Sequence, residues 1–304
     1  MRRVLLVFLA ILVGLILLLM APRAFNDFSR HPLAGPTLDQ LDYDEISFLN
    51  GDLLLGGMLL LPDGEGPFPA AILIRGSGPS RRDHTWYLII AQALQSKGIA
   101  VLLPDKRGSG QSEGDWRDTS LEELATDTEA AFRYATQVPA IDPQRIGLLG
   151  MSQGGWIAPV AASNNPDVAF VVSMSGAGVT TDEQLLFEEI NNIEEIGTYR
   201  FVAKLVAPIT VRGIKKRDTW RALADFDPMT YWAKVSAPVF AAFGEGDRSV
   251  PVDESVQRFE ALPYDITLRI YPEGGHGLTD PDTGRVQQSY LDDLIAFVSS
   301  ATSQ

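Results

Sequence analysis

One pentapeptide constrains the fold of this chain more than any other feature of its sequence: residues 150–154 are G-M-S-Q-G. The apolar run 146–149 directly before it predicts a short buried strand, and residues 155–163 after it predict a helix. A serine on the sharp turn between a strand and a helix is typical of a nucleophile elbow, where flanking glycines let backbone segments pass closely. This context predicts that Ser152 is a catalytic nucleophile.

Segments that predict strands alternate with segments that predict helices along most of the chain. The Asn50-Gly51 turn predicts a hairpin within residues 43–62. Apolar runs predict further strands at 70–74, 100–103, 146–149, 168–174, 238–243 and 266–271. Helical spacing of apolar residues occurs at 86–96, 120–135 and 286–298, and S-L-E-E from Ser120 is a capping-box pattern. The alternation predicts an α/β fold with a mostly parallel, twisted sheet and helices on both faces.

A serine hydroxyl needs a base to take its proton before it can attack a carbonyl. The chain contains three histidines, His31, His84 and His276. His84 lies near the start of a predicted helix, beside a glycine-rich loop, and His31 lies in a proline-containing segment near the N-terminus. His276 follows the last predicted strand and is flanked by glycines, so we predict it as the base, with His84 as the alternative.

A carboxylate is needed to orient this base and to stabilise the imidazolium that forms. Asp247 follows the penultimate predicted strand, and Glu245 and Asp253 lie close to it in the sequence. Asp247 is the predicted acid because a glycine directly precedes it and ordered chain resumes a few residues later. The resulting order is Ser, Asp, His, which is the order of an α/β-hydrolase and differs from the orders on other triad folds.

The oxyanion formed in acyl transfer needs hydrogen-bond donors aimed at its developing charge. The backbone N–H of Gln153, directly after the nucleophile, is the first predicted donor. The second is predicted in the glycine-rich loop after the strand at 70–74, from the backbone of Gly76 or Ser77.

The composition excludes several classes of protein. The 304 residues are 45% apolar, which is enough for a substantial core. The formal net charge of −14 would repel nucleic acid, so no nucleic-acid partner is predicted. Because the chain has no cysteine, disulfides, thiolate metal sites and cysteine nucleophiles are excluded as well.

The N-terminal residues form a separate module. Arg2 and Arg3 precede 17 residues, 4–20, that lack any polar or charged side chain. As a helix these would span about 26 Å, near the lower limit for crossing a bilayer. We predict an uncleaved transmembrane anchor over residues 1–21 and a tether over 22–42, with the catalytic domain on the extracytoplasmic side of an inner membrane. The alternative is a cleaved signal peptide and a secreted or periplasmic protein.

Four stretches of sequence occur together: residues 76–79 with Arg82-Asp83, residues 105–112, residues 150–155, and residues 244–251 with His276. In combination they resemble the α/β-hydrolase superfamily. The resemblance is closest to a bacterial carboxylesterase and serine-aminopeptidase-like branch, which is related to dienelactone hydrolase and to the catalytic domain of prolyl oligopeptidase. It covers about residues 43–302.

The resemblance implies an α/β-hydrolase domain over residues 43–304, with a helical cap inserted at about 177–236. It also implies a Ser152–His276–Asp247 triad, no metal and no organic cofactor. Two positions depart from the pattern. Relatives often have a histidine where this chain has Arg75, and many have a glutamate where it has Gln153.

The predicted function is hydrolysis of small or medium carboxylic esters by a serine hydrolase, through an acyl-enzyme that water then cleaves. Because the same groups hydrolyse amides, an aminopeptidase or dipeptidyl-peptidase-like enzyme acting on short peptides is the alternative. In that case the predicted cap offers four candidate ligands for a substrate amine: Glu188, Glu189, Glu194 and Glu195. A second alternative is a catalytically idle, membrane-tethered binding protein.

Overall fold

The computed structural model of the chain describes residues 9–10, 12–15 and 32–303. The predicted anchor at residues 4–20 lies mostly outside these residues, as does His31. In the described part of the chain, no helix is both long enough and apolar enough to cross a membrane.

The predicted hairpin is confirmed. Strand β1 (Asp44–Asn50) pairs antiparallel with β2 (Leu53–Leu60), and Asn50 lies opposite Leu53. Gly51, with a φ of +60°, takes the left-handed conformation that a tight hairpin turn requires and that glycine adopts most easily.

Six further strands extend this hairpin into one eight-stranded sheet. They are β3 (Phe68–Ile74), β4 (Ala100–Pro104), β5 (Ile141–Met151), β6 (Val171–Met174), β7 (Val239–Gly244) and β8 (Thr267–Tyr271). The strand order is β1-β2-β4-β3-β5-β6-β7-β8. Strand β2 is antiparallel to both of its neighbours, and all pairs from β4 to β8 are parallel. The predicted, mostly parallel sheet is therefore confirmed.

Helices cover both faces of the sheet because side chains alternate along each strand. In β3, Ile72 and Ile74 belong to one apolar cluster and Ala71 and Leu73 to the other. Helices α1 (Thr85–Gln95) and α9 (Gln288–Ala301) pack on the Leu73 face, and α2 (Leu121–Ala135), α3 (Gly154–Asn164) and α8 (Val252–Glu260) pack on the Ile72 face.

Half of the predicted capping box at the start of α2 is present. The Ser120 hydroxyl accepts a hydrogen bond of 3.1 Å from the backbone N–H of Glu123. The Glu123 carboxylate does not complete the box, because it binds the guanidinium of Arg107 instead. An ion pair with a neighbouring loop thus replaces a local backbone contact.

The segment between β6 and β7 contains four helices: α4 (Thr181–Glu195), α5 (Arg200–Ile214), α6 (Asp218–Arg221) and α7 (Met229–Trp232). They lie within the segment predicted as a cap. Thr180 and Glu183 form a complete capping box at the start of α4. The small buried residues Ala203 and Ala207 of α5 allow α4 and α5 to approach each other closely.

The described end of the predicted tether, residues 32–42, packs on the domain. Leu33, Leu38 and Leu41 all contact the apolar cluster on the α1 and α9 face. The backbone N–H of Ala34 also donates to the carbonyl of Gly284 at 2.9 Å. Burial of these leucines removes apolar surface from water and so holds the segment against the domain. Residues 32–42 therefore belong to the domain.

Candidate active site

Ser152 lies on a sharp turn between β5 and α3. Its φ of +53° is in the left-handed region, and its backbone N–H donates to the Met174 carbonyl at 2.8 Å. A Cβ atom at Gly150 would lie 2.1 Å from the Gly154 carbonyl oxygen, and one at Gly154 would lie 2.2 Å from the Ile74 carbonyl oxygen. The turn can therefore close only with glycine at both positions. This is the strand–turn–helix context that the sequence predicted for Ser152.

His276 and Asp247 are in direct contact. The Nδ1 atom of His276 lies 2.8 Å from Oδ2 of Asp247. Oδ1 of the same carboxylate accepts the backbone N–H groups of Ser249 at 2.8 Å and Val250 at 3.0 Å. With one carboxylate oxygen fixed by backbone and the other on Nδ1, a neutral imidazole carries its lone pair on Nε2. The Asp247 side chain is fully buried, whereas that of His276 is 26% exposed.

The two loops that carry these residues touch each other through glycine. A Cβ atom at Gly244 would lie 2.4 Å from the carbonyl oxygens of Gly274 and Gly275. The backbone N–H of Gly246 donates to the Gly274 carbonyl at 2.7 Å. Close backbone contact between the ends of β7 and β8 thus sets the distance between Asp247 and His276.

The alternative acids and base lie elsewhere. Glu245 is exposed, and Asp253 is exposed in the first turn of α8. His84 directly precedes α1, where its ring lies edgewise against Tyr87 at 5.3 Å between centroids. Of the predicted acids and bases, the structure brings Asp247 and His276 together.

Ser152 and His276 line one cavity of about 320 Å³. The sheet side of its wall also includes Ser77, Gln153, Trp156 and Ser249. The cap side consists of Thr181, Gln184, Leu185 and Glu188 from α4, with Trp220 and Leu223. His276 and Ser249 also border a second cavity of about 390 Å³, which His84, Trp86 and Met151 help to line. The imidazole therefore lies between two spaces that can hold parts of a substrate.

One predicted oxyanion donor is already occupied. The backbone N–H of Gly76 donates to the hydroxyl of Tyr87 at 2.7 Å, which corrects the prediction that Gly76 supplies a free donor. In the described part of the chain, the backbone N–H groups of Ser77 and Gln153 have no acceptor. Both residues line the cavity beside Ser152, so they are the two available donors.

Arg75 is a structural residue at the end of β3. Its Nε donates to the Pro104 carbonyl at 3.1 Å and its Nη1 to the Arg81 carbonyl at 3.0 Å. Its guanidinium also lies 3.9 Å from the buried carboxylate of Asp105 and 4.9 Å from the centre of the Tyr87 ring. Burial lowers the pKa of Arg75 below its usual value. Arg75 thus joins the loops after β3 and β4.

Lys106 joins the same loops to the nucleophile turn. Its Nζ donates to the Gly76 carbonyl and, at 2.8 Å, to Oε1 of Gln153. It also lies 5.6 Å from the centre of the Trp116 ring. Burial, followed by the nearby Arg75 guanidinium, lowers the pKa of Lys106 to about 7.

A sequence model of the prolyl oligopeptidase family (Peptidase S9) matches residues 86–303, which is more than half of the chain. The chain belongs to the prolyl oligopeptidase family. It is therefore a member of a serine hydrolase family, and the predicted superfamily resemblance is confirmed.

Proteins of similar sequence carry both esterase and peptidase names. A putative carboxymethylenebutenolidase of Synechocystis is 27% identical over 248 residues, which cover 76% of this chain and 84% of that protein. The uncharacterized peptidase YuxL of Bacillus subtilis is 26% identical over 252 residues, 78% of this chain and 36% of YuxL. Esterase EstD of Thermotoga maritima is 30% identical over 165 residues, 51% of this chain and 39% of EstD. The chain thus spans little more than a third of the last two relatives.

Solved structures of an α/β-hydrolase and of an esterase share the fold. GrgF from Penicillium aligns with a TM-score of 0.66 at 22% identity, over 87% of this chain and all of GrgF. The Pyrococcus furiosus esterase PF2001 aligns with a TM-score of 0.66 at 16% identity, over 91% of this chain and all of that chain. The predicted α/β-hydrolase fold is therefore confirmed.

The four glutamates predicted as candidate ligands for a substrate amine lie in different surroundings. Glu188 lines the cavity, and burial raises the pKa of its carboxyl, which accepts a hydrogen bond from the Ser249 side chain. Glu194 and Glu195 each form an ion pair of 3.2 Å with Arg248. Glu189 accepts a weak bond of 3.3 Å from the amide of Asn192.

Sequence reasoning assigned no role to Tyr87 or Lys106. Lys106 lies inside a motif that supported the resemblance, and its signal was a lysine directly after a buried strand, in a glycine-rich loop. Tyr87 carries no comparable signal, because its hydroxyl reaches Gly76 from a buried position in the first turn of α1.

Proposed function

We propose that the protein is a serine hydrolase that cleaves carboxylic esters with Ser152, His276 and Asp247. One observation carries this proposal: the contact of 2.8 Å between His276 and Asp247 on the wall of the cavity that Ser152 also lines. Two relatives named an esterase and a carboxymethylenebutenolidase support ester chemistry.

The proposed reaction starts from the His276–Asp247 contact, which leaves the Nε2 lone pair of a neutral His276 as the base. His276 Nε2 takes the proton of the Ser152 hydroxyl as its oxygen attacks the ester carbonyl. The backbone N–H groups of Ser77 and Gln153 stabilise the negative charge on the carbonyl oxygen. His276 then gives the proton to the leaving alcohol, and an acyl-enzyme remains. Water, deprotonated by His276, attacks this ester, and His276 returns that proton to the Ser152 oxygen as the bond to the acyl group breaks and the acid is released.

The cavity favours a small substrate. Its volume of about 320 Å³ is near the lower end for ligand pockets. Trp156, Leu185, Trp220 and Leu223 make much of its wall apolar. A short acyl chain suits these side chains, and the second cavity beyond His276 can accommodate the leaving group.

Hydrolysis of aminoacyl amides is the second candidate, because Glu188 brings a carboxylate to the same cavity. A protonated substrate amine next to Glu188 would compensate for the burial of this charge. Relatives named as peptidases, among them dipeptidyl aminopeptidase BIII of Pseudoxanthomonas mexicana, support this candidate. Rates with aryl esters and with aminoacyl anilides separate the two.

We also propose that residues 4–20 anchor the protein in an inner membrane, with the hydrolase domain on the extracytoplasmic side. The 17 apolar residues after Arg2 and Arg3 support this. Protease treatment of intact spheroplasts tests the orientation: the domain should be digested without lysis. Protection until lysis, or recovery of a soluble, shortened protein, would contradict it.

The full-length protein and its Ser152→Ala variant should be compared in the hydrolysis of p-nitrophenyl butyrate. Loss of the nucleophile should lower kcat by about 10⁴- to 10⁶-fold. A fluorophosphonate probe should label the wild type and not the variant. If the folded wild type neither hydrolyses esters or anilides nor reacts with the probe, the protein is catalytically idle and has a binding role.

A further inference from the structure

Both backbone polar groups of Gly76 are held, and its carbonyl belongs to the peptide that joins Gly76 to Ser77. The Gly76 N–H donates to the Tyr87 hydroxyl, and the Gly76 carbonyl accepts from Lys106 Nζ. This peptide bond is trans, since the cis bond among the described residues lies elsewhere. In a trans peptide the carbonyl and the following N–H point in opposite directions. Holding the Gly76 carbonyl therefore fixes the direction of the Ser77 N–H.

The same ammonium group also holds the other oxyanion donor. Lys106 Nζ contacts the side-chain oxygen of Gln153, whose own backbone N–H is the second available donor. Lys106 is kept in place by its own loop and by the loop after β3. Its backbone N–H donates to the Ser80 hydroxyl at 2.7 Å, and its carbonyl accepts from the Ser109 hydroxyl at 2.7 Å. A single charged group thus connects the two donors, which belong to different loops.

We propose that Lys106 is a positioning residue for the oxyanion site: its ammonium aligns the Ser77 and Gln153 N–H groups on one point beside Ser152. The inference rests on the proposed serine-hydrolase function. The positive charge of the buried Lys106 also polarises the Gly76-Ser77 peptide, so its N–H becomes a stronger donor. Lys106 is not among the residues that line the cavity, so it acts on the substrate only through these two N–H groups.

The charge of Lys106 should give the reaction an alkaline limb. Because the pKa of Lys106 is about 7, the ammonium loses its proton as the pH rises through neutrality. The charged groups around it come from two loops, the one after β3 and the one after β4. They are Arg75 after β3, Asp105 and Arg107 beside it in the chain, and Arg117, which contacts the Trp116 ring from 5.2 Å. The Asp105 carboxylate is engaged by Arg82, so it does not neutralise Lys106, and the charge of Arg107 is compensated by Asp127.

The test uses the full-length protein with Lys106→Met and Lys106→Arg. Removal of one direct oxyanion donor costs about 10²- to 10³-fold in kcat, so the loss of its alignment in Lys106→Met should cost about 10- to 100-fold with little change in KM. The wild-type kcat/KM should fall above about pH 7, because the pH dependence of kcat/KM reports the pKa values of the free enzyme. Lys106→Arg, charged at every accessible pH, should recover part of the rate and lose the alkaline limb.

Two further measurements separate positioning from mere structural support. A boronic acid inhibitor forms a tetrahedral, negatively charged adduct on a serine, so its affinity should fall in Lys106→Met in parallel with kcat/KM. The melting temperature should stay at or above that of the wild type. Folding lowers the pKa of Lys106, so the protonated lysine destabilises the fold increasingly as the pH falls towards 7. The methionine variant removes that cost.

The outcomes are distinct. A Lys106→Met variant with unchanged kcat, boronate affinity and pH profile overturns the proposal, and so does one that loses activity and melting temperature together. The comparison requires hydrolysis that depends on Ser152. If the wild type has none, the proposed function fails, whereas an active wild type with an indifferent Lys106 contradicts the positioning role alone.

Discussion

The two walls of the active-site cavity are built in different ways. The sheet wall carries Ser152 and His276 on turns that follow strands, with the buried Asp247 carboxylate in contact with His276, and backbone hydrogen bonds and glycine contacts fix these turns. The cap wall carries side chains from α4 and from the segment after α6, among them Glu188 and Leu223. One wall is defined by backbone geometry, and the other by which face of a helix is turned inward.

This difference separates chemistry from selection. Because a side chain on the sheet wall is fixed by its turn, we expect the proposed proton path through His276 to be the same for every substrate. A side chain of the cap wall can change while α4 keeps its position, since the helix is held by its capping box and by α5. We therefore expect substitutions in the sheet wall to slow all substrates, and substitutions in the cap wall to change which substrate is preferred.

The largest effect should come from Asp247→Asn. An amide can still accept the backbone N–H groups of Ser249 and Val250, so the turn should persist. Its NH₂ group would face His276 Nδ1 and favour the tautomer that leaves Nε2 protonated. Loss of the base should lower kcat by about 10⁴-fold. Initial rates with an aryl ester and an aminoacyl anilide should fall by the same factor.

Asp253→Asn is the matched control, because Asp253 is an exposed carboxylate a few residues further along, in α8. It should leave both rates within about twofold of the wild type, as is usual for exposed positions. An Asp247→Asn variant that keeps more than a tenth of its activity would show that this carboxylate does not orient the base. The geometry of the sheet wall would then not account for the rate of the reaction.

The sheet wall could be predicted from the sequence because its signals are local. Ser152 lies in a five-residue motif with a strand before it and a helix after it, and Asp247 and His276 follow apolar runs that became β7 and β8. Glycines mark the places where backbones approach. The order of parallel strands then brings their C-terminal ends to one edge.

The cap wall could be predicted only as a segment. Four glutamates of α4 were equivalent candidates, and Glu188 is the one that lines the cavity, with Thr181, Gln184 and Leu185 at helical spacing from it. The sequence contains that spacing but no sign of which face meets the cavity. The same limit applies to Tyr87, whose contact with Gly76 depends on how α1 packs.

A middle-sized effect should come from Glu188→Gln, and it should depend on the substrate. If Glu188 binds a substrate amine, kcat/KM for an aminoacyl anilide should fall by about tenfold, within the range for one charged hydrogen bond. A neutral ester should change by less than about threefold. Because burial raises the pKa of Glu188, the wild-type preference for the amine should weaken as the pH falls through that raised value.

Glu189→Gln on the same helix is the control, since Glu189 lies against Asn192 and is not part of the cavity wall. Equal losses with both substrates in Glu188→Gln would mean that its carboxylate acts on the His276 charge and not on a ligand. The cap wall would then contribute to the chemistry, and the two walls would not be separable.

The smallest effect should come from Leu223→Ala, which tests selection by shape alone. Leu223 is partly buried at the cavity wall, so its truncation enlarges the space for an acyl chain. Pocket contacts discriminate weakly between chain lengths, so the ratio of octanoate to butyrate ester hydrolysis should rise by only about threefold. Leu186→Ala, on an exposed position of the same cap, should leave the ratio unchanged. If Leu223→Ala instead slows every chain length equally, the side chain serves to exclude water from the reaction, and the cap wall acts on catalysis as the sheet wall does.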